Sequence, residues 1–356
     1  MWRYWAFFLP AIIHYGIFFG ISQKSGGLEF VWANLFFIFG CIPFLDFLGS
    51  RGILKFEDAD ARHSLNEMVV VLLSLPLQVF SIFFFAWYVG NHTLNAIELV
   101  ACVINAGILS ALYAQNPAHE LIHHGSRFER FFGICLFSTS CYTGAKLAHI
   151  HSHHLLVATP QDPTSARYGQ SLYAYLPKAI AVNLFGWWGA NASQSNSYFR
   201  KKALLENSFG YALSLAWALL ILFLFGGLAL SFFIVQSCIG ILVLEMMNYI
   251  GHYGLRRSED TQGKLARVTE HHAWDCDLPF SNLVLISVQK HADHHINPHK
   301  SYAELVCISG SPRLPISYPL LFLLSLFPPF WRALIHPRLL QFQVAAGLVA
   351  RDGAQQ

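Results

Sequence analysis

Apolar residues along this chain occur in long runs that short polar segments separate. The runs occupy about residues 4–23, 29–48, 66–90, 94–115, 209–226 and 228–250. An α-helix needs about 20 apolar residues to cross a hydrocarbon core of about 30 Å, where unpaired backbone groups are costly. The pattern therefore predicts an all-α, polytopic membrane protein with six transmembrane helices.

The composition excludes several other classes of protein. Of the 356 residues, 54% are hydrophobic and 12% are charged, against about 25% charged in soluble domains, which excludes a soluble monomer. The net charge of +3 is spread over the loops, so nucleic acid is not an expected partner. The seven cysteines occur without a CxxC motif and are expected to be buried apolar side chains rather than disulfides or zinc ligands.

The positions of basic residues predict the topology. Among Lys and Arg, the loops that join spans one to two, three to four and five to six carry only Lys24. Basic residues favour the cytoplasmic side. Both termini and the regions 116–208 and 251–356 are therefore expected in the cytoplasm. These regions would form a histidine-rich cap on a single membrane domain that includes residues 1–356.

Histidine is the first clue to function, because the chain holds 18 His against 20 Asp plus Glu. Most of them lie in four clusters, with the sequences HELIHH at 119–124, HIHSHH at 149–154, NYIGHYG at 248–254 and HADHH at 291–295. Residues three or four apart share one face of a helix, so each cluster with several His predicts converging imidazoles. Imidazole binds iron, zinc and copper, and this many ring nitrogens suit two metal ions better than one.

Two other classes of function are considered. The residues His119, Glu120 and His123 match HExxH, which is typical of zinc proteases, but that site needs one further ligand and leaves the other clusters unexplained. A metal transporter would carry its ligands near the membrane midplane. The isolated histidines are expected to have ordinary structural roles, and these are His14, His63, His92, His299 and His336.

The clusters resemble those of the membrane-bound di-iron alkane 1-monooxygenase family, within the fatty acid desaturase and hydroxylase superfamily. The match also includes the segment 157–167, the sequence KHADHHINP at 290–298 and FPPFW at 327–331. The resemblance covers most of the chain. It implies a site with two iron ions, with dioxygen as cosubstrate and nine ligands: His119, His123, His149, His153, His154, His252, His291, His294 and His295.

The resemblance also predicts roles for residues near the ligands. His124, His151 and His271 do not match ligand positions, whereas four other side chains are expected to support the ligands: Glu120, Asn248, His272 and Asp293. Ala148 and Gly251 stand where the family commonly has Glu. The similar membrane component of xylene monooxygenase lacks both of these Glu residues as well. Carboxylates that hydrogen-bond to metal ligands tune the affinity and potential of the metal. The loss of both Glu residues therefore weakens the prediction of linear alkanes as substrates more than the prediction of iron as the metal.

The implied activity is oxygen-dependent hydroxylation of an unactivated C–H bond on a terminal or methyl carbon of an apolar hydrocarbon from the bilayer. Desaturation and alkene-forming decarboxylation of fatty acids remain alternatives on the same site. Aligning residues 43–46 with the similar segment of the family places Ile38 at the far end of a substrate tunnel. The electron donor would be rubredoxin or a ferredoxin-type protein with its reductase, and the location a bacterial inner membrane with the site facing the cytoplasm.

Overall fold

The computed structural model describes residues 2–22, 24, 27–54, 65–185, 197–259 and 262–348. These residues form helices joined by irregular segments, and β-pairing among them is limited to isolated bridges such as Asp275 with Lys290. The predicted all-α class is confirmed for this part of the chain. His63 lies outside the described residues.

The N-terminal half contains four apolar helices. They are α1 (Ala6–Ser22), α2 (Glu29–Ser50), α3 (Leu65–Asn91) and α4 (Ala96–His123). A capping box starts α4, in which the Asn95 side chain accepts from the N–H of Glu98 and the Glu98 side chain accepts from the N–H of Asn95. This cap turns the chain directly after α3, so α3 and α4 form a hairpin.

The next helical segments are shorter. They comprise α5 (Arg127–Ser138), α6 (residues 144–156) and α7 (Leu172–Phe185). The very long α8 (Ser197–His252) follows. After it come α9 (Pro279–Val284), α10 (His291–Ile296), α11 (Tyr318–Ser325) and α12 (Pro328–Ala345).

α8 consists of two helices that meet at Gly226. That residue has φ 84° and ψ −176°, a conformation that favours glycine. Ile221 and Ala229, on opposite sides of the break, pack in one apolar cluster with Ala86 of α3. Ser214 before the break bonds to Ser138, and Glu245 after it bonds to Tyr142. The chain therefore folds back on itself between them, where the sequence separates its last two apolar runs.

The structure supports a membrane protein, and the count of six spans stays a prediction. Among the described residues, four helices are long and apolar enough to cross a membrane: Glu29–Ser50, Glu67–Asn91, Ala96–His123 and Lys201–His252. The last of these includes the break at Gly226, and the helix Ala6–Ser22 is too short to qualify by length.

Hydrogen bonds between polar side chains join the helices to one another and to the C-terminal region. Asn34 of α2 donates to Asn105 of α4 at 2.7 Å within the bundle. At the other end of α2, the buried Asp46 accepts hydrogen bonds from Ser281 and Ser317, which belong to the C-terminal third of the chain. This contact joins the bundle to the segment that carries the last histidine cluster.

Candidate metal centre

The first histidine cluster ends α4. A π-helical turn, Ala111–Gln115, precedes it, and His119 and His123 follow one α-helical turn apart. Their ring centroids are 5.2 Å apart, as the i, i+4 spacing predicts. Both ring centroids lie 4.7 Å from that of His294 in α10.

The second cluster departs from simple α-helical spacing. Residues His149–His153 form a π-helical turn in which the N–H of His154 bonds to the C=O of His149. The extra residue in this turn brings the Nε2 atoms of His149 and His154 to 2.9 Å. His153, which α-helical spacing pairs with His149, instead faces a different set of imidazoles. π-helical turns occur frequently at functional sites.

The remaining histidines come from the end of α8 and from α10. His252 ends α8 and is fully buried, and α10 supplies His291, His294 and His295. These three residues share one face of the short helix α10, and their ring centroids lie 4.6 to 5.7 Å apart. His294 faces the rings of the first cluster, whereas His291 and His295 face His252.

The structure brings all nine predicted ligands together. Two groups of four have ring nitrogens within 4.8 Å of one another: His119, His123, His149 and His294 form the first, and His153, His252, His291 and His295 form the second. His154 lies between the groups, because its ring centroid is 5.0 Å from that of His294 and 4.6 Å from that of His295.

The contacts within the first group fit a bound metal ion. Nε2 of His149 has three ring nitrogens around it, from His119 at 2.8 Å, His154 at 2.9 Å and His123 at 3.0 Å. One imidazole nitrogen holds either one proton or one lone pair, so it cannot satisfy three such neighbours by hydrogen bonding. A cation that accepts several lone pairs accounts for this convergence.

Unpartnered nitrogens lead to the same conclusion. Nε2 of His153 and Nε2 of His294 are buried without a hydrogen-bond partner among the described residues. Burial, followed by the neighbouring imidazoles, holds the pKa of His149 and that of His294 well below the usual range, and burial lowers the pKa of His291 to about 3. These rings are therefore neutral at pH 7, and neutral imidazole is the form that ligates metals.

Asp162 is a functional candidate that sequence reasoning misses. Its Oδ2 lies 2.8 Å from Nδ1 of His153, and its carboxylate also accepts from Thr164 and Ser165. Burial by itself raises the pKa of Asp162, but the interaction with His153 and these hydrogen bonds outweigh burial and lower that pKa. The available signal in the sequence is its place in the segment 157–167, which carries the family resemblance.

Main-chain carbonyls orient two further imidazoles. Nδ1 of His252 lies 3.0 Å from the carbonyl oxygen of His272, and the His291 ring is hydrogen-bonded to the backbone of Val288. His272 thus meets the site through its carbonyl group, while its ring accepts from the N–H of Thr269. The expected support from His272 comes from its backbone rather than from its imidazole.

The other residues expected to support the ligands contact different partners. Glu120 accepts from His124 and from the N–H of Tyr302. Asp293 is paired with the ammonium group of Lys300 at 3.0 Å. Asn248 donates to Glu245 on the same helix. The support of these side chains for the ligands stays a prediction.

Histidines outside the predicted ligand set lie outside both metal groups. His124 pairs with Glu120 and Glu129, His271 with Glu270, and His151 is exposed. The described isolated histidines have hydrogen-bond partners outside the two metal groups or on the main chain: His14 with Asn105, His92 with the carbonyl of Tyr88, His299 with the carbonyl of His123, and His336 with Tyr253.

The glycine at position 251 has a steric consequence at the site. A Cβ atom there would lie 3.0 Å from Cδ2 and 3.3 Å from Nε2 of His291. The imidazole of His291 therefore packs directly on the backbone of Gly251. Ala148, the other departure from the family pattern, is buried.

An apolar cavity of about 320 Å³ lies within the helix bundle. Its walls include Ile38 of α2, Ile108 of α4 and Met246 of α8, and it reaches Asn116, three residues before His119. Ile38 is 6% exposed. The residue predicted to close a tunnel thus lines a real cavity.

Comparisons with known proteins agree with this geometry. A family model of fatty acid desaturases matches residues 94–309, more than half of the chain. Alkane 1-monooxygenase 2 of Alcanivorax borkumensis is 32% identical over 94% of this chain and 89% of its own length. Alkane 1-monooxygenase 1 of Pseudomonas aeruginosa is 31% identical over 95% of this chain and 90% of its own length.

A further relative is a component of a monooxygenase named for xylene and toluene. The hydroxylase component of xylene/toluene monooxygenase of Pseudomonas putida is 28% identical over 74% of this chain and 71% of its own length. The range matched by the family model includes all four histidine clusters. The chain belongs to the fatty acid desaturase family and, within it, to the membrane monooxygenases related to the alkane 1-monooxygenases.

Proposed function

We propose that this membrane monooxygenase hydroxylates a terminal or methyl carbon of an apolar hydrocarbon, with dioxygen as cosubstrate. One observation carries the proposal: an apolar cavity of about 320 Å³ reaches Asn116, one turn from the imidazoles that begin at His119. Leu323 and Leu326 line its edge and are 40% and 36% exposed, so an apolar substrate can enter sideways from the bilayer.

Two iron ions are the metals that we propose for the site. The two groups of neutral imidazoles suit iron, zinc and copper alike, so the choice of iron rests on the family. When bound, iron would supply the reduction of dioxygen and the oxidation of the C–H bond, chemistry that the side chains themselves lack.

The side chains of the cavity would position the substrate and exclude water from it. The walls of the cavity are almost entirely apolar, with Ile38, Leu112 and Val243 among them. An alkyl chain bound along these walls loses its contact with water, and each buried CH₂ contributes about 0.8 kcal/mol. One end of the substrate is thereby held near Asn116, while the rest of the chain lies toward Ile38.

The electron donor and the location also belong to the proposal. The sequence carries no flavin, haem or iron–sulfur motif, so electrons come from a separate protein, a rubredoxin or a ferredoxin-type donor with its reductase. The membrane would be a bacterial inner membrane, with the histidine-rich cap in the cytoplasm, where such donors are reduced.

Desaturation and alkene-forming decarboxylation of fatty acids use the same kind of site and are tested alongside hydroxylation. The protease alternative has less support. A zinc protease uses the Glu of HExxH as general base, but Glu120 accepts hydrogen bonds from His124 and from the backbone of Tyr302.

The test is product analysis of the purified, iron-loaded protein in reconstituted membranes, with each donor system in turn. Alkanes, alkylbenzenes and fatty acids are offered under ¹⁸O₂, and His294→Ala serves as the inactive control. We expect an alcohol that carries one ¹⁸O atom. Terminal alkenes, internal double bonds or cleaved peptides as the main product would each contradict the proposal.

A further inference from the structure

Glu245 is a fully buried carboxylate inside the second half of α8. Its Oε1 accepts from the hydroxyl of Tyr142 at 2.6 Å and from the amide of Asn183 at 2.7 Å. Its Oε2 accepts from the hydroxyl of Tyr175 at 3.2 Å and from the amide of Asn248 at 3.3 Å. Four donors directed at two oxygens form a cradle suited to an ionised carboxylate.

This carboxylate faces the metal centre. Glu245 and Asn248 line a small void of about 20 Å³ together with His119, His149 and His153. Two of these histidines belong to the first metal group and the third to the second. Glu245 therefore faces the region where the two groups meet.

The charge of such a centre needs compensation. Neutral imidazoles bring no charge, so two divalent ions would place several positive charges in a buried site, and unpaired buried charge is costly. The carboxylates of Glu120, Asp275 and Asp293 are each within ion-pair distance of a basic or imidazole nitrogen. Within the described part of the chain, Glu245 has no such partner, so its charge is available to the metals.

We propose that Glu245 is a positioning residue whose negative charge stabilises the oxidised form of the metal centre and so lowers its reduction potential. The inference rests on the proposed metal site, but not on the substrate. The sequence offers one signal for it, because Glu245 interrupts an otherwise apolar span, and ionisable residues within spans mark functional sites.

Two substitutions separate a charge role from a structural role. Glu245→Gln removes the charge and keeps the shape, since the Tyr175 hydroxyl can donate to the carbonyl of Thr164 at 3.2 Å and the Asn248 amide can turn its oxygen inward. Glu245→Asp keeps the charge but shortens the side chain and leaves space. If Glu245 acts through its charge, the Gln variant should change the reduction potential more than the Asp variant does. If Glu245 acts only by filling space, the Asp variant should change it more.

The experiment measures iron content and the reduction potential of the purified, iron-loaded protein by redox titration under a spectroscopic probe. We expect Glu245→Gln to retain iron and to shift the oxidation equilibrium at least tenfold toward the reduced form, which is about 59 mV for one electron. Glu245→Asp should shift less than Glu245→Gln. Tyr142→Phe removes one donor and no charge, so its potential should not rise.

An unchanged potential in Glu245→Gln, or a larger shift in Glu245→Asp, would overturn the inference. Failure of the Gln variant to insert into the membrane would assign Glu245 a structural role and overturn it as well. Absence of bound iron from the wild-type protein would instead contradict the proposed function, so the two failures are distinguishable.

Discussion

Nδ1 of His153 lies 2.8 Å from Oδ2 of Asp162, and both side chains are buried. The hydrogen bond fixes the orientation of the ring and leaves Nε2 directed at His252 and His295 of the second metal group. A carboxylate in this position also makes the imidazole more basic, and therefore a better ligand.

Replacing Asp162 with Asn should weaken iron binding about 10- to 100-fold, because the ring of His153 loses its charged partner. Competition with a chelator measures this change in the metal-loaded protein. Asp277→Asn is the matched control, since Asp277 is exposed and bonds to Asn282. Equal iron affinity in the Asp162 variant and the control would refute the role of this carboxylate.

The predicted ligand set can be tested by comparing histidines inside and outside the two groups. His153→Ala and His294→Ala should each abolish activity and lower iron content, with membrane insertion intact. His124→Ala and His151→Ala should retain most of the iron, because these rings lie outside both groups. Full activity in a variant of the first pair, or complete iron loss in one of the second, would show that the assignment is wrong.

Ile38 should set the preferred length of the substrate. Ile38→Trp fills part of the apolar cavity and should favour shorter chains, whereas Ile38→Ala enlarges it and should favour longer ones. Competition between substrates of graded length measures the preference. Phe36→Ala is the control, because Phe36 is 69% exposed on the outside of the same helix. Identical product distributions in all four proteins would remove Ile38 from the substrate path.

Reporter fusions should find both termini and all histidine clusters in the cytoplasm, as the basic loops predict. A fusion after residue 205 should report cytoplasm, as should fusions after residues 60 and 356, which lie outside the described residues. Gly90 lies against the backbone of Phe225, so reporters at Gly90 and at Gly226 should share the opposite side. A periplasmic signal at residue 205 would refute this topology.

The metal-free protein should lose stability as the pH falls below about 6.5. An unfolded histidine takes up a proton near that pH, whereas the pKa of buried His291 is about 3 in the folded chain. The unfolded state thus binds more protons, and each such histidine contributes up to about 1.4 kcal/mol of lost stability per pH unit. Thermal unfolding of metal-free protein in detergent measures the decline, and His291→Ala should make it shallower. An equal decline in both proteins would contradict burial of a neutral ring.

The amino-acid sequence by itself determined the membrane class, the helical character and the approximate ends of the long helices. It also located the break at Gly226 and the clusters that hold all nine imidazoles. These features are local, because apolar run length and the spacing of histidines act within one helix.

Tertiary structure alone decided how the imidazoles divide between two groups. His149 and His153 share a face on an α-helix, but a π-helical turn and the arrival of α10 place them in different groups. Asp162 and Glu245 likewise acquire their positions from packing, since Glu245 meets Tyr142 across 103 residues of sequence. Such contacts depend on how distant helices pack together, and helical periodicity within one segment carries no information about that arrangement.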